Sequence, residues 1–280
     1  MEVFDTPDGL RAWSRAHRAA GRRVGLVPTM GALHDGHLAL VDRAREDADV
    51  VALSIFVNPL QFNRSDDFTS YPRPLDDDLA LCRARRVDAV YAPLAATMYP
   101  DGFQTRVVPG ALAEVLEGAQ RPGHFEGVTT VVAKLFLQTG ADYAMFGEKD
   151  YQQLMVIRRM AEDLAMPVQI IGVETMRESN GLAMSSRNGY LSEDERAIAP
   201  VLYRVLSGVA QTLREGSQDF AGLQAQAARE LDANGLRTDY VAIRRAVDLL
   251  EPAAGEDELA ILAAAFLGKA RLIDNIEVKR

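Results

Sequence analysis

The sequence predicts an α/β fold in which a parallel sheet carries helices on both faces and is followed by a smaller α+β domain. Between Val24 and Thr175, short apolar runs alternate with segments of helical period. Those runs, such as VVALSIFV from Val50, are too continuously apolar to leave one face in water. After Thr175 the alternation stops, and two helical patterns precede three strand-like runs. The first part is therefore expected to be Rossmann-like, with ligands beyond the C-terminal ends of its strands.

In chain order, VGLVP from Val24 reads as the opening strand, His37 to Asp47 as a helix and VVALSIFV as the next strand. Pro74 to Arg86 reads as a helix whose acidic start, Asp76 to Asp78, suits its positive end. DAVYAP is a third strand, Val128 to Thr139 a helix, ADYAMFG a strand, Asp150 to Leu164 a helix and VQIIGVET a strand. The polar stretch MRESNGLAMSSRNGYLS has no strand period. Helical patterns follow at Glu193 to Glu215 and Phe220 to Asn234, then DYVAIRR, LAILAAAF and ARLIDNIEV, with Gly268-Lys269 as a tight hairpin. The expected domains are residues 1–175, and 176–280 as a smaller unit closing over the site.

Composition narrows the function. With 48% hydrophobic and 25% charged residues in 280, the chain has an ordinary soluble composition. Forty acids against 31 bases, a net charge of -9, disfavour nucleic acid as a partner, since backbone binding needs a basic footprint. A small anion in a local positive site remains compatible. Cys82 is the single cysteine, so no intrachain disulfide forms and a reducing compartment fits. No run approaches a membrane span and the N-terminus lacks a secretory pattern, so no membrane partner and a cytoplasmic location are expected.

Several polar motifs punctuate the chain, and three of them, PTMGALHDGH, FVNPLQFN and MFGEKDYQQL, follow strand ends where such a sheet binds ligands. In PTMGALHDGH, His34 and His37 stand near a helix N-terminus, which favours anions, and Gly31 and Gly36 permit a sharp turn. Phosphate handling and simple helix capping both fit this pair; zinc fits poorly, because the Glu of HExxH is missing. FVNPLQFN offers Asn58 and Gln61, amides suited to hydroxyls, although Asn58 also suits a turn cap. MFGEKDYQQL supplies Gly147, the cation Lys149, Asp150 and Gln153, against the plainer reading of a helix cap and a solvated lysine. In LAMSSRNGY, Ser185, Ser186 and Arg187 could grip pyrophosphate or merely form a turn, with Met184 packing beneath. EGAQRPGHFEGV contributes Arg121 and His124 in a loop that could close over a site or pack as a contact turn. Asp76, Asp77 and Asp78 compete between helix capping and holding magnesium.

PTMGALHDGH, FVNPLQFN, RPGHFEGV, FGEKDYQQL and GLAMSSRNGYL, in this order, resemble the motifs of the pantothenate synthetase (pantoate-beta-alanine ligase) family, within the HxGH nucleotidyltransferases. The resemblance implies ligation of pantoate and beta-alanine through pantoyl adenylate, with ATP consumed and AMP and pyrophosphate released. It places His34, His37, Lys149, Ser185, Ser186 and Arg187 on the phosphates. Pro28, Thr29, Met30, Gly147, Asp150, Val173 and Met184 complete the ATP site. Gln61, Gln153, Asn58 and Arg121 take the substrate, and Asp77 with Asp78 the Mg2+. It further implies a cytoplasmic homodimer. Leu60, where the family often has Met, is a volume-conserving swap. The chemistry suits this inventory, because an ionised carboxylate needs positioning and charge compensation rather than a general base. Two other classes compete: a nucleotidyltransferase that stops at adenylation, and a non-enzymatic nucleotide-binding module.

Overall fold

A computed structural model describes residues 1–62, 68, 69 and 71–280. Asn63, the last residue of FVNPLQFN, lies outside them. The chain divides into two compact units, one of residues 1–148 and 153–174, the other of residues 149–152 and 175–280.

The first unit is a six-stranded parallel sheet: β1 (Glu2–Phe4), β2 (Val24–Thr29), β3 (Val50–Ile55), β4 (Ala89–Tyr91), β5 (Tyr143–Gly147) and β6 (Gln169–Val173), in the order β1-β4-β3-β2-β5-β6. Its principal helices are α1 (Pro7–Ala19), α2 (Asp35–Asp47), α3 (Leu75–Ala84), α4 (His124–Thr139) and, extending from the second unit's Tyr151 and Gln152, α5 (Tyr151–Asp163).

The apolar runs are explained by the period-two alternation of strand side chains. Leu26, Ala52, Ala144 and Phe146 enter one buried cluster with Leu10 and Trp13 of α1, Leu135 of α4 and Ile157 of α5. Their neighbours Val27, Leu53 and Met145 enter another, with Val41 of α2 and Cys82 of α3. β2, β3 and β5 are thus buried on both faces, as the runs predict. Strand order reverses between β2 and β5, which pair through Gly25↔Tyr143 and Leu26↔Ala144. Their C-terminal ends, Thr29 and Gly147, therefore flank the switch point of the sheet.

The sequence pattern misses β1 and α1. β1 has only three residues at the sheet edge, too few to show a period. α1 is announced by Thr6, whose hydroxyl caps Gly9 N–H, and by Pro7 at its first position. α4 begins at His124 rather than Val128, because Gly127 is a close-packing residue inside the helix. A methyl group there would lie 2.4 Å from the Leu60 carbonyl.

The second unit sets α6 (Glu193–Ile198), α7 (Val201–Arg214) and α8 (Phe220–Ala233) with a three-stranded antiparallel sheet, β7 (Arg237–Arg245), β8 (Glu258–Leu267) and β9 (Ala270–Lys279), β8 in the centre. The single helix expected from Glu193 to Glu215 is two, separated at Ala199 and Pro200, since proline has no N–H to continue the ladder. Ser192 and Glu195 form a reciprocal capping box at the start of α6. The hairpin at Gly268-Lys269 forms as the sequence predicts, with Gly268 left-handed at φ +55°. Leu259, Ile261, Ala263 and Ala265 of β8 pack with Leu206 and Leu213 of α7 and Leu231 of α8.

Cys82 is fully buried, and desolvation raises its thiol pKa to about 11. At pH 8 only about one thiol in a thousand would be ionised. Iodoacetamide should leave native Cys82 unmodified over hours and label it promptly in denaturant, as mass spectrometry would show; fast labelling of the native chain would contradict this packing.

Candidate active site

The turn after β2 is built by hydrogen bonds that cross from neighbouring strands. The Thr29 hydroxyl donates to the Ser54 carbonyl at 2.7 Å and accepts from Gly31 N–H at 3.1 Å. Phe56 N–H donates to the Thr29 carbonyl. The chain then turns through two left-handed residues, Gly31 (φ +82°) and Ala32 (φ +51°), the second of which is uncommon for a residue with a Cβ. Asp78, at the start of α3, holds this turn: its carboxylate accepts from Ala32 N–H at 2.9 Å and Leu33 N–H at 2.7 Å. A Cβ on residue 31 would lie 2.8 Å from the same carboxylate, so glycine is required there.

Asp78 is 1% exposed, whereas Asp77 beside it is exposed. Burial raises the Asp78 pKa, the two amide bonds lower it, and Asp77 raises it further; the net direction is up. The folded state thus holds this proton more tightly than the unfolded chain does. Its contribution to stability is fully present below the unfolded pKa and declines as pH rises through the raised value. None of the acids Asp76 to Asp78 caps α3, which starts after Pro74 without a side-chain cap.

His34 is the N-cap of α2, and the two histidines form a reciprocal box. Gly36 N–H donates to His34 Nδ1 at 3.1 Å, and His34 N–H donates to His37 Nδ1 at 3.4 Å. The rings lie 4.1 Å apart between centroids. A backbone amide can only donate, so Nδ1 is the acceptor in both rings and each neutral imidazole carries its proton on Nε2. Two N–H donors are therefore fixed at a helix N-terminus.

Asn58 and Gln61 follow β3 in a tight turn, Pro59–Gln61, where both are buried. The Asn58 Oδ1 accepts from Leu60 N–H and from Tyr99 Oη, and its Nδ2 donates to Gln61 Oε1 and to the Gly127 carbonyl, both at 3.0 Å. Gln61 Nε2 lies 3.1 Å from Met30 Sδ, so this residue of the β2 turn meets the β3 turn. Arg121 and His124 converge on the Gln61 carbonyl, at 3.3 and 2.8 Å. RPGHFEGV thus supports the Gln61 turn through both side chains and through Gly127. Pro28 pairs with Ser54 inside the sheet, and Gly147 pairs with Val173 where β5 and β6 end. Gln153 is half-buried on α5.

In the second unit, Lys149 Nζ lies 4.0 Å from Asp150, and the Lys149 carbonyl accepts from Asn275 Nδ2 at 2.9 Å. Ser185 caps a tight turn, Ser186–Tyr190, by accepting from Arg187 N–H. Met184 N–H donates to the Met176 carbonyl. The base of this loop is held by Arg177, which binds Asp274 at 2.6 and 2.9 Å and stacks 3.7 Å from the Tyr203 ring centre. Such a part-buried bidentate pair leaves little freedom to the loop above it. Sequence reasoning missed Tyr99, Arg177, Asp274 and Asn275, whose partners lie 41 to 126 residues away.

Among the described residues no group of three or more His, Cys, Asp or Glu side chains is placed to hold a metal ion. The two units thus supply separate sets of polar groups: two oriented imidazoles and a buried amide cluster in one, a lysine and a serine-arginine turn in the other.

Known proteins resemble this chain along nearly its whole length. The family model described as pantoate-beta-alanine ligase matches residues 2–277. A pantothenate synthetase of Pseudomonas fluorescens is 52% identical over 280 residues, covering 99% of this chain and 98% of its own. One of Azotobacter vinelandii is also 52% identical, covering 99% of both. The crystal structure of a pantothenate synthetase from Thermus thermophilus matches over all of both chains with a TM-score of 0.93 and 47% identity. A Francisella tularensis pantoate-beta-alanine ligase, complexed with beta-gamma ATP and beta-alanine, matches at 0.83 and 34%, over 99% of this chain and 97% of its own. A match along nearly the whole chain, on a fold of the same design, means that this chain belongs to the pantoate-beta-alanine ligase family.

Proposed function

We propose that His34 and His37 act as paired Nε2–H donors to the phosphates of ATP in the adenylation half of the ligase reaction. The enzyme joins pantoate to beta-alanine at the expense of ATP through pantoyl adenylate. In the first step a pantoate carboxylate oxygen bonds to the α-phosphorus while the bond to the bridging oxygen breaks, and pyrophosphate leaves with the electron pair. In the second, the beta-alanine amine, having lost a proton, attacks the acyl carbon; the acyl C–O bond breaks and AMP leaves. Neither carboxylate attack nor loss of pyrophosphate needs a base, but both build charge on phosphate oxygens.

The observation that carries this reading is the capping box, which fixes both imidazoles with their protons on Nε2 at a helix N-terminus. Lys149 and Arg187 supply positive charge for the α-phosphate and the leaving pyrophosphate. Ser185 and Ser186 supply hydroxyls and the amides of their turn. Pro28, Thr29, Met30, Gly147, Asp150, Val173 and Met184 shape the nucleotide site. Gln61, with Gln153 and Arg121, takes pantoate.

Magnesium accompanies ATP in this reading, and the donor set argues against a cage made by the protein alone. Asp78 is buried and committed to two amides; Asp77, exposed, is the carboxylate suited to a hydrated ion. The reading extends to a cytoplasmic homodimer, supported by the family resemblance, the lone buried cysteine, and the lack, among the described residues, of any helix long and apolar enough to cross a membrane.

Substituting His34→Ser retains a good helix cap but removes the Nε2 donor. Pantoate-dependent exchange of labelled pyrophosphate into ATP should fall about 100- to 1000-fold with little change in melting temperature; exchange at the parent rate would refute the donor role. Asp78→Ala strands one buried and one part-buried amide, together worth a few kcal/mol, roughly 1–3 each at full burial. It should lower the melting temperature by about 5–15 °C and leave the Mg2+ concentration for half-maximal activity unchanged. A large rise in that concentration at unchanged melting would instead make Asp78 a metal ligand.

A further inference from the structure

Gln61 can face a ligand in two opposite senses, offering either its carbonyl oxygen or its amino group. Which one it offers is decided inside the first unit, by a chain of buried hydrogen bonds that ends on backbone. Leu60 N–H can only donate and the Gly127 carbonyl can only accept, so Asn58 must turn Oδ1 to the first and Nδ2 to the second. The remaining lone pair of Oδ1 takes the Tyr99 hydroxyl at 2.8 Å, and the remaining hydrogen of Nδ2 goes to Gln61 Oε1. Asn58 is 1% exposed, and this fills both of its donor and both of its acceptor positions. Gln61 Oε1 is thereby occupied, and its amino group points the other way, toward Met30.

Tyr99 lies outside every motif that marks the site in the sequence. It follows a short helix, Ala95–Met98, after β4, and its ring contacts Phe56 and Phe103 with centroids 6.0 and 5.0 Å away. Lys134 Nζ stands 5.8 Å from its ring centre. Burial holds its hydroxyl far above the ordinary tyrosine pKa, so the group stays a donor.

We propose that Tyr99 is a positioning residue for substrate recognition: through Asn58 it locks the Gln61 amide so that Gln61 meets an oxygen of pantoate as a donor. Asn58 then orients and does not itself touch substrate. Tyr99 acts on pantoate alone, and only through Gln61. This rests on the assignment of Gln61 to pantoate, and the experiment separates the two.

Steady-state kinetics of the full-length enzyme would be measured for Tyr99→Phe, Gln61→Ala and the double variant, with melting temperature as a check on packing. Tyr99→Phe should raise the pantoate KM about 5- to 20-fold, the loss of one buried hydrogen bond, with the KM values for ATP and beta-alanine unchanged. In the Gln61→Ala background the same change should have no further effect on pantoate. If Gln61→Ala leaves the pantoate KM unaltered, the assignment of Gln61 fails and this inference with it. If Gln61→Ala raises it but Tyr99→Phe does not, or the two effects multiply, or the ATP KM rises equally, the relay through Asn58 is wrong while Gln61 keeps its role.

Discussion

The Asp78 carboxylate, bound to the amides of Ala32 and Leu33, is the interaction on which the turn after β2 depends. Without an acceptor there, one buried and one part-buried N–H group would have to be left unpaired in a turn that already contains a left-handed alanine. The partner comes from α3, which follows β3, whereas the turn follows β2, the adjacent strand. α3 is itself fixed by Cys82 in the cluster that also holds Val27, Val41 and Leu53. Core packing thus sets the position of a charge, the charge sets the turn, and the turn sets where α2 begins. Since α2 begins at Asp35, His34 is its cap and His37 closes the box.

Polar groups around the Gln61 turn follow the same logic at lower charge. Arg121, His124, Asn58 and Tyr99 come from different elements, and none is close to the others in sequence except Arg121 and His124. What brings them together is the close approach of α4 to the Pro59–Gln61 turn, which Gly127 permits by lacking a side chain. Burying several polar groups in one place costs desolvation unless each finds its partner. Asn58 does so completely, and that completeness gives the amide a single orientation where a partly satisfied one would flip.

Much of this was legible in the sequence. Doubly buried parallel strands announce themselves as unbroken apolar runs, and each run from Val24 to Val173 becomes a strand of the predicted sheet. The motif histidines could be placed at a helix N-terminus because Gly36 and the following apolar period marked it. β1 is too short for any period, and the Tyr99 to Asn58 and Arg177 to Asp274 bonds span 41 and 97 residues. No local pattern encodes such pairs; they are consequences of topology. Asp78 was visible as an acid at a helix start, but its duty was hidden, since it serves another segment's amides rather than its own helix.

Helix capping and phosphate handling look like rival accounts of His34 and His37, but the capping geometry is compatible with both. An imidazole has two nitrogens of opposite character when neutral. Capping consumes the acceptor, Nδ1, in each ring, and in doing so forces the proton onto Nε2. A carboxylate in either place could cap equally well but would leave no N–H at all, and a carboxamide would leave only the N–H groups of a shorter side chain, on the carbon that bears the capping oxygen. The cap therefore serves as the device that prepares the donor, and its cost in ring freedom is met by the start of α2 rather than by the ligand. That is a reason for histidine, in particular, to occupy both positions of the box, which neither capping nor anion binding alone supplies.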